Sequence, residues 1–313
     1  MAPTDRNNPK RAASSESQYS LMEFMREFPD DAACLNFLWR TRYSTDGEHA
    51  HCPKCDEERS FKRYEMTTRR QAWTCVACGH MLYPTAGTIY HKSSTSLHLW
   101  FYAIYMMSST RGGVSAKQLE RELGVTYKCA WRMMNLIRNQ IMAQDDDALE
   151  GDVEADETYM GGRAREWPKR SREYHASRKV PVFGAVERGG RVRAKVMDFN
   201  AAADVRPLVH DFIKSDSRLF TDDSHLYRGM DKTFADHQSI KHIAKIYVDG
   251  DVHTQTIDGF FSTLKNGIRG SYHAVSRKWL QGYLNEYAWR YNHRDDDLGM
   301  FRSLILRSAF PRS

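Results

Sequence analysis

Apolar residues recur at helical spacing from the first ordered-looking stretch of the chain. Leu21, Phe24, Met25 and Phe28 fall on one face, and Asp30-Asp31 makes a break and an N-cap. Leu35, Leu38 and Trp39 then carry a second helical stripe to about Tyr43. Residues 97–107 are apolar nearly all round, which predicts a buried helix. Two shorter patterns follow Gly112-Gly113. Ser115 caps a helix whose Leu119 and Leu123 face inward, and Gly124 makes a turn. Thr126 caps a second helix with Ala130, Met133, Met134 and Ile137 inside. A glycine turn between two short helices is the helix-turn-helix pattern. Its second helix offers Tyr127, Lys128 and Arg132 outward near the N-terminal end, where such a helix reads a DNA groove.

Beyond Asp145-Asp146-Asp147 the pattern changes. Residues 153–159 alternate like a strand, and 180–186 and 192–199 flank Gly189-Gly190 as a hairpin. Residues 204–214 predict a helix, 218–223 a short strand ending in acids, and 242–248 another strand. In 253–265, Ile257, Phe260, Phe261 and Leu264 form one apolar stripe of a helix. Asp258 and Lys265 stack about two turns apart on another face, with Ser262 between them and Gln255 one turn before. An amphipathic helix over 278–291 closes the chain.

Composition sharpens this picture. The 313 residues, 41% hydrophobic and 27% charged, suit two or three globular domains. The net charge of +6 is unevenly spread: residues 160–195 hold eleven Lys and Arg against Glu166, Glu173 and Glu187, which points to a polyanion partner or a solvated loop. No secretory leader is visible, and the longest apolar run is too short to span a bilayer, so an intracellular protein without membrane contact is expected. Residues 1–19 are polar and read as a flexible tail.

Four of the six cysteines form a C-x2-C-x19-C-x2-C array: Cys52, Cys55, Cys75 and Cys78. Two knuckles of paired thiolates complete a closed tetrahedral shell, the arrangement of a structural Zn2+ ribbon; a catalytic zinc would keep an open position. Arg59, Lys62, Arg63, Arg69 and Arg70 around it suggest contact with DNA.

The expected fold class is multidomain α+β: a helical segment (20–45), a zinc ribbon (46–90), a helix-turn-helix region (91–143) and an RNase H-like α/β domain (148–313). In the last, Asp156 lies on the first strand, Asp222 at the end of the fourth, and Asp258 on a later helix. Three converging carboxylates repel one another unless a cation is present. Hard oxygen donors suit two Mg2+ or Mn2+ ions, as in-line attack on a phosphodiester requires. Glu154, Glu157, Asp223, Asp249 and Asp251 read as ordinary surface acids or spare ligands, and His237 and His242 as structural.

From about Met22 to Arg294 the chain resembles transposases of the ISXO-two-like insertion-sequence group, relatives of eukaryotic Merlin elements. The resemblance rests on the Cys52-Pro-Lys-Cys55 knuckle, on Glu154-Ala-Asp156-Glu-Thr-Tyr159-Met-Gly-Gly162 and on Thr221-Asp222-Asp-Ser-His-Leu-Tyr227. It also rests on residues 253–260, 264–273 and Tyr283-Leu-Asn-Glu-Tyr-Ala-Trp-Arg-Tyr-Asn292. It implies a DDE-type recombinase that cuts at the ends of its own element and joins them to target DNA, acting on paired ends as a dimer or larger assembly. Asp156 and Asp222 match the first two family acids. At the third position the family has Asn, two residues and Glu, followed by Gly-Phe-Trp; here Gln255, Asp258 and Phe261 stand there. Asp258 is favoured as third ligand because it is ionised and has Lys265 seven residues on, with Gln255 the neutral alternative. Lys265 would hold a DNA phosphate, extended by Arg269 and His273. The competing reading is a catalytically decayed or domesticated DNA-binding protein. A host RNase H-like nuclease is a third, disfavoured by the amino-terminal DNA-binding modules.

Overall fold

A computed structural model describes residues 19–64, 71–110, 112–161, 179–240, 253–296 and 299–310. Residues 162–178 of the basic stretch, together with Arg69, Arg70, His242, Asp249, Asp251 and the strand expected over 242–248, lie outside the described residues. The fold is mixed α/β and divides into two compact units, one of residues 1–110 with 293–313, the other of residues 111–292.

The first unit begins with α1 (Leu21–Glu27) and α2 (Asp31–Arg42). Ser20 and Glu23 close a capping box on α1, and Asp30 accepts the Ala33 N–H at 2.8 Å to cap α2. The strands β1 (His49–Cys52), β2 (Glu57–Tyr64), β3 (Ala72–Cys75) and β4 (Met81–Leu82) form an antiparallel sheet in chain order. Its one apolar face is covered by α2: the Trp39 and Trp73 rings stack with centroids 4.7 Å apart and planes 5° from parallel. The segment 20–45 and the ribbon thus share a core, because a sheet this small cannot bury its own face. Helix α3 (Leu97–Ser109), buried as its all-round apolarity predicts, packs through Phe101 against Phe28. The C-terminal helix, labelled α9 (Met300–Ala309), also belongs here. Phe301 meets Phe24 and Phe28, and Arg302 makes a two-pronged ion pair with Glu27 at 2.6 Å. Residues 293–313 therefore depart from the expected 148–313 block: the last helix's apolar stripe finds its partners in the first unit. The segment 91–143 is likewise divided, at Thr110.

In the second unit α4 (Ala116–Leu123) and α5 (Tyr127–Leu136) flank Gly124, whose left-handed φ of 63° makes the turn. Ser115 and Thr126 cap the two helices as the sequence indicates. A π-type turn (Ile137–Ile141) extends α5. The sheet follows: β5 (Asp152–Met160), β6 (Val180–Glu187), β7 (Val192–Val196), then α6 (Ala202–Phe212), β8 (Arg218–Asp222) and β9 (Asp236–Ile240). The order is β7-β6-β5-β8-β9, with β5 antiparallel to β6 and parallel to β8. Helix α6 packs on one face through Val205, Val209 and Phe212. On the other lie α7 (Gln255–Gly267) and α8 (Arg277–Asn292), with Ile257, Phe261, Leu264, Leu284 and Tyr287 in that core. Central strands buried on both faces read as unbroken apolar runs, which is why 180–186 is so uniformly hydrophobic.

The exposed edge at β7 is closed by amide side chains rather than by another strand. Gln144 pairs with both backbone groups of Ala194, Asn292 with both of Val192, and Gln281 accepts the Val196 N–H. These bonds satisfy a ladder that would otherwise recruit a foreign strand. The helix-turn-helix packs on α8, where Trp131 meets Trp279 edge to face with centroids at 4.7 Å. Gly282 there lets the chain approach so closely that a Cβ would lie 3.1 Å from the Asn139 side chain.

Candidate active site and metal centre

The four-cysteine cluster is built by local chain geometry. Each knuckle closes with the same turn: Asp56 N–H reaches Cys52 O at 2.8 Å, Gly79 N–H reaches Cys75 O at 3.0 Å, and both turn residues take positive φ. The four sulfurs all lie within 4.8 Å of one another, a spacing that fits one tetrahedral Zn2+. Burial pushes the Cys52 thiol up, but the backbone N–H groups of Cys55 and Lys54 and the neighbouring thiols outweigh it and hold it down at about 7. Such donors favour the thiolate a metal needs.

The acidic site assembles from three separated elements. Glu154 on β5 is the Cα partner of Phe220 on the parallel strand β8. Asp156 and Asp222 each lie two residues further along, so strand periodicity sets them side by side on the face that α7 covers. Opposite Asp156 on β6 stands Gly184, where a Cβ would lie 2.8 Å from Phe261 and 3.0 Å from Ile257. The missing side chain lets α7 settle onto the sheet and brings Asp258, in its first turn, toward Asp156.

Electrostatics report that convergence. Burial raises the Asp156 carboxyl to about 7, and the like charges of Glu157, Asp222 and Asp258 add to it. The Glu157 N–H, donating at 2.8 Å, works the other way. Glu157 is also raised to about 7 by burial and by Asp222, against a hydrogen bond from the Tyr227 hydroxyl. A cluster of carboxylates whose ionisation is this disfavoured fits a divalent cation, which would relieve both burial and repulsion. Among the described residues the four cysteines are the one group of three or more His, Cys, Asp or Glu side chains close enough together to hold an ion.

Glu154 holds this geometry together, and the expectation of a surface acid is wrong for it. It is 0% exposed. Its oxygens accept the Thr256 N–H and hydroxyl, each at 2.8 Å, and the Ile257 N–H at 3.2 Å, so that the carboxylate caps the N-terminus of α7. Arg188 pairs with it at 2.8 Å and reaches on to the His253 carbonyl at 2.9 Å, while His253 Nδ1 lies 3.1 Å away. A negative charge at a helix N-terminus interacts favourably with the helix dipole. The strand bearing Asp156 is thereby tied to the helix bearing Asp258. One signal was available in the sequence: Glu154 lies two residues from Asp156, on the same face of a strand buried on both sides, where an acid needs a partner.

The other singled-out residues fall as follows. Lys265 is half-buried, and Gln255, Arg269 and His273 are exposed. Tyr127, Lys128 and Arg132 are exposed along α5, as expected, and Asp223 is exposed. His237 is within 3.0 Å of Thr221 Oγ1, and burial lowers its pKa, consistent with a structural role. Among the described residues no helix is long and apolar enough to cross a membrane.

Comparison with known proteins gives this geometry a context. The chain is 29% identical over 280 residues to an uncharacterized protein in transposable element ISH50 of Halobacterium salinarum. The match covers 85% of this chain and 92% of that protein. Residues 148–292 match the family model of the ISXO2-like transposase domain, the stretch that contains Asp156, Asp222 and Asp258. Residues 148–292 are thus similar to an ISXO2-like transposase domain, and the likeness points to a transposase role, that of a DNA-processing enzyme.

Proposed function

We propose that the second unit is an RNase H-like DDE-type catalytic domain that cuts DNA at the ends of its own insertion sequence and joins the freed 3′ ends to target DNA. The observation that carries this reading is the raised Asp156 carboxyl, buried beside Asp222 on aligned parallel strands, with the charge of Asp258 felt from α7. Asp156, Asp222 and Asp258 would hold two Mg2+ or Mn2+ ions, which when bound activate the attacking oxygen and stabilise the leaving oxygen of an in-line displacement. The charge of Asp258, felt at Asp156, supports Asp258 as the third ligand, with Gln255 the neutral alternative.

The chain's own groups do the rest. Asp156, Asp222 and Asp258 set the site's charge, Glu154 fixes the helix, and Lys265, about two turns beyond Asp258 along α7, holds a DNA phosphate. No side-chain nucleophile is needed. Water oxygen attacks phosphorus and the P–O3′ bond breaks; the resulting 3′-hydroxyl oxygen then attacks a target phosphorus, breaking one P–O3′ bond and forming another. The ribbon with structural zinc and the exposed face of α5 supply duplex contacts to the ends, with two or more copies pairing them.

The Gln255 and Asp258 departures favour a second reading, a DNA-binding protein that has lost catalysis. The test is strand transfer in vitro with purified chain, Mn2+ and a labelled duplex carrying the gene's flanking ends. Joined product from the parent and none from Asp156→Ala supports the recombinase. Binding of ends without cleavage selects the second reading, and no binding of ends overturns both.

A further inference from the structure

The helix-turn-helix is anchored to the catalytic fold at both of its ends, and both anchors meet one carboxylate. On the entry side, Gly112 O accepts hydrogen bonds from Ser271 Oγ at 2.6 Å and Tyr287 Oη at 3.0 Å. Gly113 takes a φ of 83°, and a Cβ there would lie 2.0 Å from Tyr272 Oη. On the exit side, Arg138 in the π-type turn after α5 donates from Nε to Glu286 at 2.7 Å and lies 4.0 Å over the Tyr283 ring.

Glu286 is 0% exposed and accepts from Arg290 at 2.7 Å and from Tyr272 Oη at 3.0 Å as well. Burial pushes its carboxyl up, but the Arg138 and Arg290 guanidiniums outweigh it and keep the group ionised. Tyr272 ends a second π-type turn (Ile268–Tyr272) that runs straight on from α7, the helix of Asp258 and Lys265. Apolar side chains often match a buried ion network for stability, and fixed geometry is what such a network can add.

We propose that Arg138, Tyr272 and Glu286 form a positioning joint that locks the recognition helix α5 to the catalytic helix α7, and so sets which phosphate beyond the bound end sequence is cut. This rests on the transposase reading above. The scale of the requirement is set by DNA itself. Successive phosphates along a strand are about 3.4 Å apart in rise, so slack of one such step moves the cut by one nucleotide. A helix pair on a loose linker would bind ends and leave the cut undefined; contacts of hydrogen-bond length at entry and exit remove that slack.

The experiment uses the full zinc-loaded chain, Mn2+ and labelled duplex ends, with cut sites mapped at nucleotide resolution and end binding measured in parallel. The variants are Tyr272→Phe, Gly113→Ala and the double Arg138→Met with Glu286→Gln, which removes both partners of the Arg138–Glu286 pair at once and leaves Arg290 as the network's remaining charge; with Tyr272→Phe, which removes no charge, it keeps the test open if one variant fails to fold. End binding within twofold of the parent, with cuts spread over neighbouring phosphates and yield at the parental phosphate down tenfold or more, supports the joint. A double variant that binds ends and cuts the parental phosphate at parental yield overturns it. If the parent itself neither binds nor cuts its ends, the transposase reading fails first and takes the joint with it; that outcome is told apart because the parent, not the variant, fails.

Discussion

The two candidate metal centres contrast in how each is made. The cysteine cluster draws its four ligands from two knuckles of one small sheet, and its sulfurs close to within 4.8 Å. The acidic site draws its proposed ligands from β5, β8 and α7, where burial and the like charges around it raise Asp156 to about 7. The cysteine ligands come from two tight local turns, so their site can preassemble. The carboxylates come from elements far apart in the chain, and their geometry must be imposed by packing. Glu154, Gly184 and the packing of α7 supply that imposition.

Zinc removal should have the largest effect. A structural zinc site of this type contributes roughly 10–16 kcal/mol of apparent binding energy to folding. Cys75→Ser is expected to abolish stoichiometric zinc, measured by elemental analysis, and to erase the near-ultraviolet circular dichroism of the Trp39–Trp73 stack. Asp156→Asn should leave both intact. Retained zinc and an unchanged aromatic signal in Cys75→Ser would break the contrast from the ribbon side.

Glu154→Ala comes next. It leaves Arg188 and the N-terminus of α7 without their anion, a loss of about 3–5 kcal/mol for a broken buried pair, read by chemical denaturation. Glu154→Gln keeps the size and one acceptor and should lose less, with the Mn2+ concentration needed for joining raised in both. Parental stability in Glu154→Ala would remove the tether from the account.

Smaller still is the pH effect. Because the folded Asp156 sits at about 7 against the ordinary 3.8, the folded state holds a proton that the unfolded chain has released. Stability of the metal-free acidic site therefore falls as pH rises from about 4 to about 7, by at most about 4 kcal/mol at 1.36 kcal/mol per unit. Added Mg2+ should raise the melting temperature more at pH 8 than at pH 6. Asp156→Asn should flatten the pH dependence and stabilise the metal-free protein by about 1–2 kcal/mol while costing joining activity about a hundredfold or more. Equal Mg2+ shifts at both pH values would count against a cation site there. Gln255→Ala, by contrast, should change joining by less than about threefold.

How much of this was legible in the sequence follows the same division. The ribbon could be read almost completely, because its ligand spacing and its turns are local. Asp156 could be read as a strand residue, Asp222 as a strand end and Asp258 as part of a helix face; Glu154's nearness to Asp156 hinted at a buried acid, but not at its partner Thr256, 102 residues away. The motif over 283–292 looked like a family signature without a role. In the fold Asn292 closes the β7 edge, Glu286 collects Arg138, Arg290 and Tyr272, and Tyr283 lies under Arg138. The last helix, Met300–Ala309, follows the one expected to close the chain, and nothing in its sequence says which unit receives it, since a hydrophobic stripe specifies burial and not a partner.

The most direct measurement is Mn2+ binding by electron paramagnetic resonance, on zinc-loaded parent and on Asp156→Asn, Asp258→Asn and Gln255→Ala. Two bound ions in the parent are expected, lost or weakened at least tenfold in both aspartate variants and unchanged in Gln255→Ala. Parental Mn2+ binding in Asp156→Asn, or loss in Gln255→Ala with none in Asp258→Asn, would contradict the site as assembled here.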